Sequence, residues 1–568
     1  MSGFFLSNSA FLRYYWRMFL RERINEIVTQ ALLRMEGGHD LKNFEMPSLL
    51  VRAIETGDHG DYASTLSFQL AKIWKTNPEG VGMALKDAIE KETGGDIFKR
   101  IAPVKGFLNF ILTAEVYHGE IAEILKLGEK YGSKGKPAKS ARGGFAHSEK
   151  NKSYSLDYLD ANPTGPVHVG HARSGFLGDI LSRVLVKAGH KVSREFYVNN
   201  GKSSGQIQSL GRTALGRGEE YRHEELLELL REPVVARKLK KTKSESVAGF
   251  FIASLIQKQN VDFLKKHAGI EYDLFFDEQR VYEKKLHRAV LKELEKRGCV
   301  YKKDGAVWFR AKNFGDTEDR VFVRKTGEPT YILPDVAYHM NRLAERKFDF
   351  VIDIFGADHH GYGPRLRGAL QALGVDPHRV HIITVQTVRL MKDGAEFKMS
   401  KRAGVFVTLE DLIHEVGIDA VRFFFLMHSP DTHMDFDLSL AKEQSAKNPV
   451  YYVQYSYARI ASIMRRAAKN DFLDADTSLL KAPEERALMK MLARFPEIIE
   501  DSARDFAVLR LTTYSTELAR SFHAFYEHCR VISDDTALTR ARLMLVEATR
   551  IVLKNTFDCM GINAPEKM

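Results

Sequence analysis

Ser155-Leu156-Asp157-Tyr158-Leu159-Asp160-Ala161-Asn162-Pro163-Thr164-Gly165-Pro166-Val167-His168-Val169-Gly170-His171 is the stretch whose reading decides the fold. Ser155 to Leu159 suits a short strand, and Asp160 to Pro166 is made of turn-forming residues. From about Gly170, Phe176, Leu177, Ile180, Leu181, Val184 and Leu185 recur on one helical face until Gly189 closes the pattern. Lys191 to Val198 then returns as a strand, so a parallel sheet with a right-handed crossover is expected. The first turn of a helix has free N–H groups and a partial positive end, where phosphates settle. Gly170 allows close approach there, and His168 and His171, projecting from one turn, can donate hydrogen bonds to phosphate oxygens. Alone, H-x-G-H is a weak pattern and a histidine in it is often a packed core residue. Its setting between a strand with an Asn-Pro-x-Gly-Pro turn and a helix favours a nucleotide site.

A second strand–helix unit starts at Phe350 to Phe355 and passes through Gly356-Ala357-Asp358-His359-His360 into a helix with Pro364 near its first turn. Beyond a strand at Val380 to Val388 and a polar turn, Lys392-Asp393-Gly394, comes Lys398-Met399-Ser400-Lys401-Arg402-Ala403-Gly404. Two lysines at i and i+3 on a glycine-flanked loop can close over a triphosphate and neutralise charge building on a departing pyrophosphate. A solvated basic loop is the plainer reading of that segment by itself. The two signatures in this order on one α/β frame are far more specific than either.

At 568 residues the chain exceeds one hydrophobic core. We expect an α/β protein: a split Rossmann-type parallel-sheet catalytic domain at 153–410, an N-terminal α+β appended domain at 1–128 and a linker at 129–152. A helical insertion is expected at about 216–290 and a C-terminal α-helical bundle at 411–568. The run Arg237 to Lys243 reads first as a solvated face and second as a phosphate contact. A net charge of +11 is moderate for this length and points to a polyanion only in company with motifs. Cys299, Cys529 and Cys559 lie far apart without metal spacing, so neither a disulfide framework nor a protein-bound zinc is expected, and no other metal site. Arg13, Arg17, Arg21 and Arg23 interrupt the apolar N-terminal stretch, so no membrane segment is expected and a cytoplasmic location is. With no heptad pattern, a monomer is the expectation.

These motifs resemble those of class I aminoacyl-tRNA synthetases, and in detail the arginyl-tRNA synthetases of bacterial type. The resemblance rests on Asp160 to His171, Gly356 to Tyr362, Asp435-Phe436-Asp437-Leu438, Asn448 to Tyr455 and the ending Ala564 to Met568, with Gly60 to Ala63 and Gly106 to Phe110 near the N-terminus. Two segments depart from the family: Asn199 to Gln206 is longer than usual, and Tyr457 stands where His is frequent. The resemblance implies ATP with Mg²⁺, L-arginine and tRNA(Arg) as partners. It implies catalysis by His168, His171, Lys398 and Lys401, and an ATP site with Gly170, Gly356, Asp358, His359, Met399 and Ser400. It implies arginine binding by Asp157, Asn162, Tyr331 and Asp335, with His359 a further candidate, and tRNA contacts by Phe107, Asn109, Tyr452, Tyr455 and Met568. A guanidinium is a planar, always-charged fork best met by carboxylates, which agrees with Asp157 and Asp335. Three rivals compete. A small nucleotidyltransferase would share the fold but not the length or the aromatic Tyr-x-x-Tyr segment. A non-catalytic RNA-binding relative would have lost His168, His171 or Lys401. A synthetase of another specificity, such as cysteine, would want zinc ligands.

Replacing Lys401 with Ala is expected to lower adenylate formation on the order of 10²- to 10³-fold, the usual loss for one preorganised transition-state donor. Amino acid binding should fall far less. Pyrophosphate exchange measures this, and near-normal turnover would remove the loop from the mechanism.

Overall fold

The computed structural model describes residues 18–35, 47, 50–54, 60–93, 96–133, 151–357, 361–397, 407–467 and 472–568. Near the N-terminus, β1 (Arg52–Ala53), β2 (Tyr62–Ser64), β3 (Phe98–Val104) and β4 (Phe107–Leu112) form an antiparallel sheet in the order β1-β2-β4-β3. Lys105 and Gly106 both have positive φ, as a two-residue hairpin turn of the primed kind requires, and Val104 pairs with Phe107 to close it. Phe107 thus sits at the hairpin tip.

The catalytic core is a five-stranded, wholly parallel sheet. Its members are β5 (Ser153–Tyr158), β6 (Lys191–Val198), β7 (Leu274–Asp277), and, after a small antiparallel sheet of β8 (Val300–Lys303), β9 (Ala306–Phe309) and β10 (Arg320–Val323), β11 (Phe350–Gly356) and β12 (Val380–Val385). The order β12-β11-β5-β6-β7 means that the chain builds outward from β5 in one direction and later resumes on its other side. The reversal between β5 and β11 is a topological switch point, and in open α/β sheets ligands bind in the crevice beyond the strand carboxyl ends there. The loop carrying His168 follows β5, and Gly356 ends β11, so both expected nucleotide elements open on this crevice.

Two expectations are corrected. The stretch 216–290 is not one helical insertion. Helices Gly205–Ala214, Glu224–Arg231, Pro233–Lys240 and Glu245–Phe263 share a core of their own, but β7 rejoins the central sheet beside β6. Nor is the chain all-helical from 411. After β13 (Val388–Lys392) and β14 (Ala395–Glu396), Met434–Asp437 forms β15, parallel to β13, with Met434 and Phe436 buried. Four residues are too few for a period-two pattern to stand out from helical surroundings. Beyond it, helices Pro449–Arg466, Pro483–Ala493, Phe495–Asp505, Arg510–His528 and Thr536–Met560 make the expected bundle, with Leu488, Leu492, Phe495 and Ile499 in its core. The N-terminal unit docks on it through Arg21, bonded to Glu500 and Asp501 at 2.8 and 2.9 Å, and through Tyr62, which donates to Glu497.

The helix Val169–Lys187 lies so close over β5 that a methyl group at Gly178 would stand 2.2 Å from the Tyr158 ring. Helix propensity favours Ala over Gly by about 1 kcal/mol, but overpacking against a fully buried ring costs roughly 1–3 kcal/mol. The clash should win: Gly178→Ala is expected to lower the denaturation midpoint, and a raised midpoint would show that the helix yields.

Candidate active site

His168 is the N-cap of the Val169–Lys187 helix, with extended backbone (φ −108°, ψ 165°), and its Nδ1 accepts from the Gly170 N–H at 3.1 Å. A neutral imidazole accepting at Nδ1 carries its proton on Nε2, which leaves Nε2–H as the donor. The His168 and His171 rings stack 3.6 Å apart at 29°. Burial lowers the pKa of both; His171, with His168 against it, falls to about 3. Two imidazoles this close stay neutral near pH 7 and serve as hydrogen-bond donors, not as cations. His171 Nδ1 is buried without a hydrogen-bond partner.

The turn holding these histidines is clasped by the chain that follows the second signature. Val169 N–H donates to Val407 O at 3.0 Å, Leu409 N–H donates to Val167 O at 2.8 Å, and His168 bridges Thr408. On the other side Phe397 N–H donates to Leu390 O at 2.7 Å, anchoring the segment to β13. Lys398, Met399, Ser400 and Lys401 lie outside the described residues, as do Asp358 and His359. Their flanks are nonetheless set: the segment carrying the lysines leaves from β13–β14 and rejoins directly on the histidine turn.

A row of buried acids crosses the central sheet. In register across the sheet stand Asp353 of β11, Asp157 of β5 and Glu195 of β6. After Asp157, Leu159 and Asp160 take positive φ (77° and 40°), a strained reversal that costs of order 1–3 kcal/mol per residue and is held by surrounding contacts. One such contact is the Tyr197 N–H, which donates to Asp160 Oδ1 at 2.9 Å. Asp157 is hydrogen-bonded to Asp160, while its Oδ1 is buried without a partner. Burial and the neighbouring Asp160 push Asp157 up, and burial raises Asp160 to about 7. The helix Ile332–Met340 carries Asp335 in its first turn with Tyr331 at its N-cap. Tyr362 joins them: its hydroxyl donates to Asp335 Oδ2, and its ring lies 5.5 Å from that of the exposed Tyr331.

Several supporting residues carry no local sequence signal. The loop from Asn162 to Pro166 is gripped from the helical unit at 205–263, where His223 Nε2 meets Thr164 O at 2.9 Å and Asn260 donates to Gly165 O at 3.0 Å. The long Asn199–Gln206 segment is tied down by Asn200 to Asp277 (2.7 Å) and by Gly201 N–H to Glu278 (3.1 Å). Of the expected RNA contacts, Phe107 is 45% exposed with Phe68 edge-on at 5.1 Å, whereas Asn109 is 7% exposed and largely covered within its sheet. Tyr452 and Tyr455 converge on His523, with ring centroids at 5.1 and 6.1 Å, and Met568 is exposed. Tyr457 is buried against Phe557 and accepts from Arg550, so it serves packing.

Comparison with known proteins agrees with this architecture. Residues 20–112 match the arginyl tRNA synthetase N terminal domain, residues 138–210 and 200–424 the catalytic domain of class I (R) tRNA synthetases, and residues 453–568 the DALR anticodon binding domain. Fold and site thus define a class I aminoacyl-tRNA synthetase, an ATP-using ligase. The chain is 36% identical over 567 residues to the arginine–tRNA ligase of Moorella thermoacetica, covering 96% of this chain and 99% of that one. It is 39% identical over 533 residues to that of Carboxydothermus hydrogenoformans, covering 90% and 92%. The arginyl-tRNA synthetase of Thermus thermophilus shares the fold with a TM-score of 0.73 at 21% identity, over 97% of this chain and 100% of that one. The chain belongs to the arginine–tRNA ligase family and has that activity: it activates arginine with ATP and transfers it to tRNA.

Proposed function

We propose that the crevice between β5 and β11 performs both steps with the residues assembled around it. The arginine carboxylate attacks the α-phosphorus of ATP, supplied as its Mg²⁺ complex, and pyrophosphate leaves. A terminal ribose hydroxyl of tRNA(Arg) then attacks the mixed anhydride and AMP departs. No protein nucleophile is needed, because positioning and electrostatic stabilisation carry the rate. His168 and His171 act as neutral donors to phosphate oxygens, and Lys398 and Lys401 neutralise the leaving pyrophosphate. Gly170, Gly356, Asp358, His359, Met399 and Ser400 shape the ATP side. Asp157, Asn162, Tyr331 and Asp335 take the arginine. The observation that carries this reading is the backbone clasp between Val167–Val169 and Val407–Leu409, which joins the segments of both signatures at the switch point.

In the same reading the N-terminal unit contacts the tRNA D-arm through Phe107, with Asn109 behind it, and the bundle reads the anticodon by stacking on Tyr452 and Tyr455 with Met568 nearby. Remote tRNA contacts order the pocket, so activation requires tRNA. The enzyme works as a monomer in the cytoplasm; among the described residues no helix is long and apolar enough to cross a membrane.

Asp335→Asn tests the pocket. A guanidinium desolvated against a carboxylate loses roughly 3 to 5 kcal/mol when that carboxylate goes. The KM for arginine in aminoacylation should rise steeply while that for ATP stays put. Equal losses for the two substrates would make Asp335 a structural residue.

A further inference from the structure

His339 lies one helical turn beyond Asp335, on the same face of the Ile332–Met340 helix, and is 1% exposed. Its Nδ1 stands 2.9 Å from the Asp335 carbonyl oxygen and 3.2 Å from Asp335 Oδ1. Its Nε2 stands 2.7 Å from Asp353 Oδ2. Arg342 Nη1 also lies 3.3 Å from Nε2 but donates to Asp353 Oδ1; the nearer neighbours of both ring nitrogens are carbonyl and carboxylate oxygens, which only accept, so both nitrogens donate and the ring is an imidazolium. The flanking carboxylates hold its pKa up at about 10 against the lowering effect of burial.

Asp353 is itself immobile. It lies within β11, wholly buried, and its Oδ1 accepts from Arg342, whose guanidinium also donates to Ser155 Oγ and Ser155 O on β5, each at 2.7 Å. A π-helical turn, Asn341–Glu345, follows Met340 and includes Arg342. The line Arg342–Asp353–His339–Asp335 therefore runs from the strands that flank the switch point to the carboxylate proposed for the arginine guanidinium. With His339 on Oδ1 and Tyr362 on Oδ2, each oxygen of Asp335 has one fixed donor.

We propose that His339 is a positioning residue for arginine recognition: a buried imidazolium, anchored on Asp353, that fixes the Asp335 carboxylate in its orientation. The proposal rests on the reading of Asp335 as an arginine ligand. Without such an anchor Asp335, bound only through Tyr362 on Oδ2, would be free to turn about its side-chain bonds. A misdirected carboxylate cannot offer two acceptors to a guanidinium fork. Glutamine at position 339 cannot replace the cation, because its oxygen would face one of the two acceptors.

The test is a double-mutant cycle in steady-state aminoacylation with tRNA(Arg). H339Q should raise the KM for arginine about tenfold to hundredfold, the worth of a hydrogen bond to a charged group, and leave the KM for ATP unchanged. In the Asp335→Asn background, H339Q should add nothing further to the arginine KM. An arginine KM that is unmoved by H339Q, or moved equally in both backgrounds, overturns the proposal. If Asp335→Asn itself leaves the arginine KM unchanged, the pocket reading fails first, so the two failures are distinct. Should H339Q not fold, the unaltered enzyme decides: ¹⁵N spectra of labelled histidine should contain a ring with both nitrogens protonated at about pH 8, well above the usual histidine range. A spectrum with every imidazole neutral there overturns it equally.

Discussion

The proposed arginine side of this enzyme depends on a buried imbalance of charge. Asp157, Asp160, Glu195, Asp335 and Asp353 gather around the end of the central sheet, and the cations set among them are His339, Arg342 and Arg346. Glu195 is neutralised by Arg346, which bonds both its oxygens at 2.8 Å, and Asp353 by Arg342 and His339. Asp157 and Asp160 have no such partner and hold a proton between them instead, the cheaper course for carboxyls in a low-dielectric site. Arginine carries two positive groups, its guanidinium and its α-ammonium. On the proposed reading, a site short of cations selects a substrate that is rich in them, and it resists one that cannot meet both sets of acceptors.

The proposed nucleotide side is organised by neutral donors and backbone. Stacked, buried imidazoles at the start of a helix offer N–H groups to phosphate without the charge repulsion that two imidazoliums would suffer. The clasp to Val407–Leu409 makes the histidine turn and the flank of the lysine segment one structural unit. Interactions set before the reaction begins need no reorganisation in the transition state, which is where their catalytic value lies.

Much of this was legible in the sequence because it is local. The strand–turn–helix around His168 has both a period and turn chemistry, and Lys191–Val198 and Phe350–Gly356 emerge as strands close to where their patterns lie. Strands β7 and β15 escaped because four residues inside charged helical stretches have no period of their own, and they become strands only by pairing with β6 and β13. His339, Tyr362, His223 and Asn260 escaped for a related reason. Each acts through a partner distant in the chain or buried in the sheet, with the spacing from Asp335 to His339 the single local hint. The positive φ of Asp160 has no signature at all, since nothing about Leu-Asp demands it.

The most direct test is calorimetry of arginine binding to the enzyme–tRNA complex, repeated in buffers of different ionisation enthalpy across pH 6 to 8. In the empty pocket Asp160 titrates at about 7 and Asp157 is also raised. A cation favours the ionised carboxylates and lowers those pKa values, so binding releases protons wherever the empty pair is still protonated. Arginine affinity should therefore climb with pH through the region near 7 where Asp160 titrates. Net proton release on binding near pH 6.5 is the predicted result. Binding without proton exchange, or with proton uptake, would contradict a pocket built on unpaired carboxyls.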